Sequence, residues 1–332
     1  MRRLGLCVVG CGRFATFHAA AARRLGGAVS LAFASRDAAR AEAYRRRFGG
    51  IAAFGSYEAA AADDRVDALV FCTPHHLHLA NVCLAARHRK AVLVEKPIAG
   101  TRDEAERILA EAAAAGVTLM VGENFHFMPA FVAARRLLSA GVIGPVRQVV
   151  VTPRSSWAPR GWRARRAEAG GGILIDGGIH YVHLLQDWAG PIEWVSAAAP
   201  PNLVRELEGE DTAFLLVRFR SGAVGLLANS LAAPGLPRLQ RTWVTGTRGS
   251  LAVDNRGRAL WLRGPRGTRV RLFLRDRRGL SAQLAEFVAA VRERRPPALD
   301  PGSTRDDLAV VLAAYRSIET GRAVTLVAAG VA

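Results

Sequence analysis

A glycine-rich turn, Gly10-Cys11-Gly12-Arg13-Phe14-Ala15, stands where an apolar run, Leu4 to Val9, gives way to an alanine-rich helical pattern. Short apolar, β-branched runs then alternate with Ala/Arg/Glu helical patterns as far as Gly122, which restricts this part of the chain to βαβ units around a parallel sheet. The spacing predicts strands at Leu4 to Val9, Val29 to Ala34, Ala52 to Phe54, Ala68 to Phe71, Ala91 to Val94 and Thr118 to Val121. Thr101 with Glu104 predicts a capping box that opens a helix running to about Ala115, where Gly116 ends it.

Beyond Gly122 the pattern changes. It predicts a helix near Phe131 to Ser139, a strand at Val146 to Val151, a glycine-rich helix start at Gly170, strand-like stretches from Ile192 to about Val270, and helices near Ser281 to Arg294 and Thr304 to Glu319. A chain of 332 residues exceeds the usual single core. The expected fold class is therefore α/β: an N-terminal Rossmann doubly wound parallel sheet (residues 1–122), closely joined to a C-terminal α+β domain with a largely antiparallel open sheet (residues 123–332), with the active site between them.

The hydrophobic share is 50% and the charged share 22%, which fits a globular protein. No apolar run reaches the roughly 18 residues of a membrane span, and the first apolar run reads as a buried strand, so the expectation is a cytoplasmic protein with no membrane partner. Cys7, Cys11, Cys72 and Cys83 form no CxxC pair and read as reduced thiols. The net charge of +18 raises nucleic acid as a partner. The charge is diffuse, however, with neither a nucleic-acid-binding motif nor an aromatic platform, so no specific nucleic-acid function is expected. Lys90 and Lys96 are the only lysines, so 46 basic residues less two leave 44 arginines. Where arginine supplies positive charge so freely, a surviving lysine invites a chemical reason.

The GxGxxA turn is informative because it follows a strand and opens a helix. Gly10 permits the tight turn, Gly12 lets the backbone approach a dinucleotide pyrophosphate at the helix N-terminus, and Ala15 allows close helix-to-strand packing. Cys11, Arg13 and Phe14 are assigned backbone contact only. The second strand ends in Ala34-Ser35-Arg36-Asp37, without the acid that usually grips the adenosine ribose. Ser35 and Arg36 suit a 2′-phosphate, favouring NADP while leaving NAD possible, and Asp37 is expected to cap the next helix.

Glu95-Lys96-Pro97 closes the fifth strand at its carboxyl end, the edge where open α/β sheets hold ligands. A lysine there can exchange a proton with a substrate oxygen while hydride moves, provided burial and neighbouring charge bring it near neutrality. Within Gly170 to His180, Asp176 and His180 stand at i and i+4, on one face if helical, and can act together on one oxygen. His75, His76 and His78 beside Cys72 offer imidazoles and a thiolate, but adjacent histidines point apart, and no metal is expected.

At these places the chain resembles the family of glucose-fructose oxidoreductase, inositol dehydrogenase and the MocA-type rhizopine proteins. The resemblance rests on the GxGxxA turn, Thr73-Pro74 with His78, Glu95-Lys96-Pro97, Gly122-Glu123-Asn124, Ile143-Gly144, the Gly170 to His180 stretch, and Ser317 to Gly321. It implies that Lys96, Asp176 and His180 surround the reacting carbon, and that Thr73, Pro74, His78, Glu95 and Asn124 join the cofactor side. Trp162-Arg163 is similar to the NADP-dependent 1,5-anhydrofructose reductase branch, which implies residues facing nicotinamide and a sugar-like substrate. It also implies a homodimer or homotetramer formed through the open face of the second sheet, within a domain for substrate binding and oligomerisation. The expected activity is NADP(H)-dependent hydride transfer at a secondary alcohol or ketone of a sugar, sugar derivative or polyol. Two alternatives stay open: a nonenzymatic dinucleotide or sugar sensor on this fold, and an NAD-dependent glycoside-processing enzyme working by transient oxidation.

Overall fold

The structure, a computed structural model, describes residues 2–233 and 240–326. Two compact units form, Met1–Asn124 with Leu280–Arg305, and Phe125–Gly279 with Asp306–Ala332.

The first unit alternates strand and helix: β1 (Leu4–Val9), α1 (Ala15–Arg24), β2 (Val29–Ala34), α2 (Ala38–Phe48), β3 (Ala52–Phe54), α3 (Tyr57–Ala62), β4 (Ala68–Phe71), α4 (His78–Arg87), β5 (Ala91–Glu95), α5 (Arg102–Ala115) and β6 (Leu119–Gly122). The strands form one parallel sheet in the order β3-β2-β1-β4-β5-β6. That is the doubly wound order, whose carboxyl edge is the ligand edge. β1, β4 and β5 are buried along their whole length, as expected for central parallel strands covered on both faces. The capping box of α5 forms in full: Thr101 accepts from the Glu104 amide and Glu104 from the Thr101 amide. β5 runs one residue beyond its expected end because the ladder with β6 continues to Glu95 opposite Gly122. Lys90 has a structural reason to be lysine, since its ammonium donates to the Asp63 and Val66 carbonyls at 3.1 and 2.7 Å.

The second unit contains α6 (Pro129–Ser139), β7 (Val146–Pro153), the short α7 (Arg166–Ala169), a π-helical turn (Leu174–Gly178) leading into α8 (Ile179–Ala189), and then β8 (Ile192–Ala198), β9 (Thr212–Phe219), β10 (Val224–Ser230), β11 (Gln240–Gly246), β12 (Ser250–Asp254), β13 (Ala259–Gly264) and β14 (Gly267–Leu272). Of the strand-like stretch expected from Ile192 onward, residues 234–239 lie outside the described residues. α9 (Leu280–Glu293) belongs to the first unit and packs on α1, its Arg292 guanidinium donating to the Ala28 carbonyl at 2.6 Å. α10 (Pro301–Thr320) and β15 (Val324–Thr325) follow. The second sheet runs β14-β13-β12-β11-β7-β10-β9-β8-β15, and all its pairs are antiparallel except β7 with β10. β9 alternates buried and exposed residues strictly, so one face packs inward and the other is open. The expected fold class holds: a parallel Rossmann sheet and a largely antiparallel second sheet.

Candidate active site

In the first unit, Gly10 takes φ +88°, a left-handed conformation that glycine adopts without strain, and its amide donates to the Ala34 carbonyl at 2.9 Å. The chain thereby folds back over the carboxyl ends of β1 and β2. A Cβ on Gly12 would meet no atom within 4 Å, so the space beside this backbone is open. No side chain caps α1, its first turn holds no acid, and the Arg13 and Phe14 amides meet no acceptor among the described residues. Open space beside uncapped helix amides is what a dinucleotide pyrophosphate requires, so the residues fit that group. Cys11 lies buried below the turn with its thiol on the Ala34 carbonyl, and burial pushes the thiol up to about 11. All four cysteines are free thiols.

At the end of β2, the Ser35 hydroxyl accepts from the Asp37 amide at 3.2 Å. Asp37 caps α2 through the Arg40 amide at 3.1 Å, as expected, and Arg36 beside it is exposed.

Around Lys96 the supports are buried. Glu95 is held by His18 of α1, whose Nε2 lies 2.6 Å from Glu95 Oε1, while His18 Nδ1 has no hydrogen-bond partner among the described residues. His78 is fully buried, with Nδ1 2.9 Å from the Pro97 carbonyl and Nε2 3.2 Å from the Thr73 carbonyl. Burial lowers its pKa, against the opposing pull of the two carbonyls, and the neutral ring donates to one of them at a time. Asn81 donates to the Thr73 hydroxyl at 2.7 Å. His78 and Asn81 thus tie the Thr73-Pro74 turn, and His78 reaches on to the turn that carries the half-buried Lys96. Asn124 is buried at the end of this unit.

In the second unit, Asp176 lies in the π-helical turn and His180 in the first turn of α8. A π-turn winds about 4.4 residues per turn, so positions i and i+4 stay on nearly one face, and such turns are frequent at functional sites. Asp176 pairs with Arg163 at 3.3 Å, and the Arg163 guanidinium lies over the Trp162 ring at 4.3 Å. His180 stacks on Phe125 with centroids 4.3 Å apart and planes 11° from parallel. The structure therefore brings Trp162 and Arg163 to Asp176, and adds Phe125, which sequence reasoning missed.

A third cluster was also missed. His126 Nδ1 lies 3.1 Å from His183 Nε2, His183 Nδ1 lies 2.8 Å from Asp307, and Arg135 donates at 3.0 Å both to His126 Nδ1 and to Asp187. The ligand atoms of His126, His183 and Asp187 lie within 4.8 Å of one another, but the Arg135 guanidinium already supplies a cation to two of the three. No helix among the described residues is long and apolar enough to cross a membrane.

Residues 4–123 match the model of an oxidoreductase family with an NAD-binding Rossmann fold, and residues 131–252 match the GFO/IDH/MocA C-terminal domain. Myo-inositol 2-dehydrogenase of Thermotoga maritima is 30% identical over 330 residues, covering 96% of this chain and 97% of its own. 1,5-anhydro-D-fructose reductase of Ensifer adhaerens is 29% identical over 97% of this chain and 98% of its own. Among solved structures, GenD2 from gentamicin A biosynthesis in complex with NAD superposes with a TM-score of 0.87 at 29% identity, covering 99% of this chain and 97% of that one. With both halves matched and a relative aligned over nearly its whole length, the chain belongs to the GFO/IDH/MocA family of oxidoreductases, enzymes built on an NAD-binding Rossmann fold.

Proposed function

We propose that the chain transfers hydride between NADP(H) and a secondary alcohol or ketone of a sugar, sugar derivative or polyol. The observation that carries this reading is Lys96 at the carboxyl end of β5, on the ligand edge of a dinucleotide-binding sheet, in a chain whose one other lysine, Lys90, is held by backbone carbonyls. The relatives are named for inositol and an anhydrofructose, a polyol and a sugar derivative. The nicotinamide supplies the redox chemistry, and the protein supplies binding, orientation and proton exchange. Lys96 exchanges the hydroxyl proton, Asp176 and His180 bind and polarise the same oxygen, and Asn124, Trp162 and Arg163 shape the substrate pocket. Residues 1–122 serve the cofactor, and residues 123–332 serve substrate binding and oligomerisation.

NADP is preferred over NAD because Arg36 is exposed at the end of β2 and Asp37 is committed to capping α2, so no acid opposes a 2′-phosphate. A homodimer or homotetramer is supported by a row on the open face of the second sheet. Leu216 pairs with Leu226, Leu226 with Val150 and Val150 with Trp243, and Leu216, Leu226 and Trp243 are exposed there.

The test is a screen of NADPH consumption against keto-sugars beside NADP reduction against polyols, run in parallel with NAD. Turnover with at least one ligand, faster with NADP and losing that preference in Arg36→Ala, is the expected result. Tight dinucleotide binding with no turnover on any carbinol or ketone contradicts the reading.

A further inference from the structure

The first four amides of an α-helix have no partner inside it and must be met from elsewhere. At the segment that carries Asp176 and His180, the first intrahelical bond runs from the Asp176 amide to the Gly172 carbonyl at 3.2 Å. The preceding amides, Gly172, Ile173, Leu174 and Ile175, have no local cap. Two distant residues meet all four. The Gly172 amide donates to Glu210 Oε2 at 3.0 Å and to the Tyr315 hydroxyl at 3.3 Å, and the Ile173 amide to the Glu210 carbonyl at 2.8 Å. The Leu174 amide donates to Glu210 Oε1 at 2.8 Å and the Ile175 amide to the Tyr315 hydroxyl at 3.2 Å. Tyr315 in turn donates its proton to Glu210 Oε1 at 3.1 Å.

This arrangement accounts for the glycines. A Cβ on Gly171 would lie 2.2 Å from the Tyr315 hydroxyl oxygen, one on Gly172 2.0 Å from the Glu210 carbonyl oxygen, and one on Gly209 2.3 Å from the Gly172 nitrogen. Gly171 and Gly172, with Gly209 opposite, are the room in which Glu210 and Tyr315 reach the helix start. A carboxylate on these amides also compensates the positive end of the helix, so this terminus is closed to an anionic ligand.

We propose that Glu210 and Tyr315 are positioning residues, a cap supplied from β9's approach and from α10, that sets the height and rotation of the turn bearing Asp176 and His180. The inference rests on the reading that those two residues bind the reacting oxygen. The cap orients them, and neither Glu210 nor Tyr315 is assigned contact with substrate.

Tyr315→Phe removes one oxygen and keeps the ring, and amide hydrogen exchange and steady-state kinetics read the result separately. The expected result is exchange at Gly172 and Ile175 about tenfold faster. The kcat for carbinol oxidation should fall about tenfold or more while the KM for NADP and the melting temperature hold. Glu210→Gln, which leaves one acceptor oxygen instead of two, should move the same readouts further. Unchanged exchange and kcat in an active enzyme overturn the inference and leave the function standing. A loss of kcat matched by equal losses in melting temperature and NADP binding overturns it in favour of a merely structural contact. If wild type oxidises no carbinol, the proposed function fails, and unaccelerated exchange in Tyr315→Phe would sink the cap as well.

Discussion

The molecule has two glycine turns, each at the start of a helix, and they are built to opposite ends. At Gly10-Cys11-Gly12 the first glycine packs against Cys72 and Thr73, but Gly12 faces open space and the Arg13 and Phe14 amides ahead of α1 meet no acceptor among the described residues. At Gly170-Gly171-Gly172, Gly171 faces Tyr315 and Gly172 faces Glu210, and the four helix-start amides are all taken by protein. One turn keeps its helix dipole for a ligand, whereas the other spends glycine on a close internal fit and keeps anions out. Glycine count therefore does not distinguish a ligand cradle from a packed support; the atoms opposite each missing Cβ do.

The difference predicts opposite phenotypes for the same kind of substitution. The largest effect should come from Gly172→Ala, whose Cβ meets the backbone of Glu210, a group that cannot swing aside. Destabilisation at or above the upper part of the roughly 1–3 kcal/mol range for overpacking is expected, read as a fall in melting temperature in the absence of ligand. A variant as stable as wild type would mean that the second turn is as open as the first. Gly12→Ala should do the reverse, leaving the melting temperature within error. Its NADP(H) affinity should fall about tenfold or more, since a methyl group occupies space the pyrophosphate needs. Unchanged affinity would remove the first turn from the cofactor site.

A smaller effect concerns Glu210, whose carboxyl is raised above its ordinary 4.5 by burial, against the opposing pull of the backbone amides and Tyr315. A carboxyl raised in the folded state binds its proton more tightly than in the unfolded chain. The stability it contributes is thus present below 4.5 and is lost as pH rises through the raised value. The stability difference between wild type and Glu210→Gln should therefore shift in the variant's favour as pH rises from about 4 to about 8, measured by chemical denaturation. A difference that does not change with pH contradicts the raised pKa.

Much of the fold was legible because its signals are local. Apolar runs mark the six strands of the first sheet, Thr101 and Glu104 announce α5 three residues apart, and Asp37 caps α2 within its own turn. The candidate site was legible where a motif concentrates residues, as at Gly10 to Ala15 and Asp176 with His180. What supports those residues was not legible. His18 finds Glu95 across 77 positions, Tyr315 finds Glu210 across 105, and His183 finds Asp307 across 124. Such partners leave no periodicity, and each reads alone as an ordinary helix or strand residue. Phe125, now stacked on His180, reads as one more apolar residue of a core segment. The π-turn was equally invisible, because five residues with two glycines do not distinguish it from an α-helical start.

The central claim is that Lys96 moves the proton while hydride moves at a carbinol carbon. Arginine at this position keeps the positive charge but stays protonated at any working pH, whereas lysine can release and recover its proton. The direct measurement is therefore kcat for Lys96→Arg on a substrate confirmed with wild type, alongside an NADP(H) titration of the same preparation. The account predicts cofactor binding close to wild type and a loss of roughly 100-fold or more in kcat, the lower end of what positioned acid/base catalysis contributes. Near wild-type kcat in Lys96→Arg would contradict it, reducing Lys96 to an electrostatic anchor and moving the proton to His180.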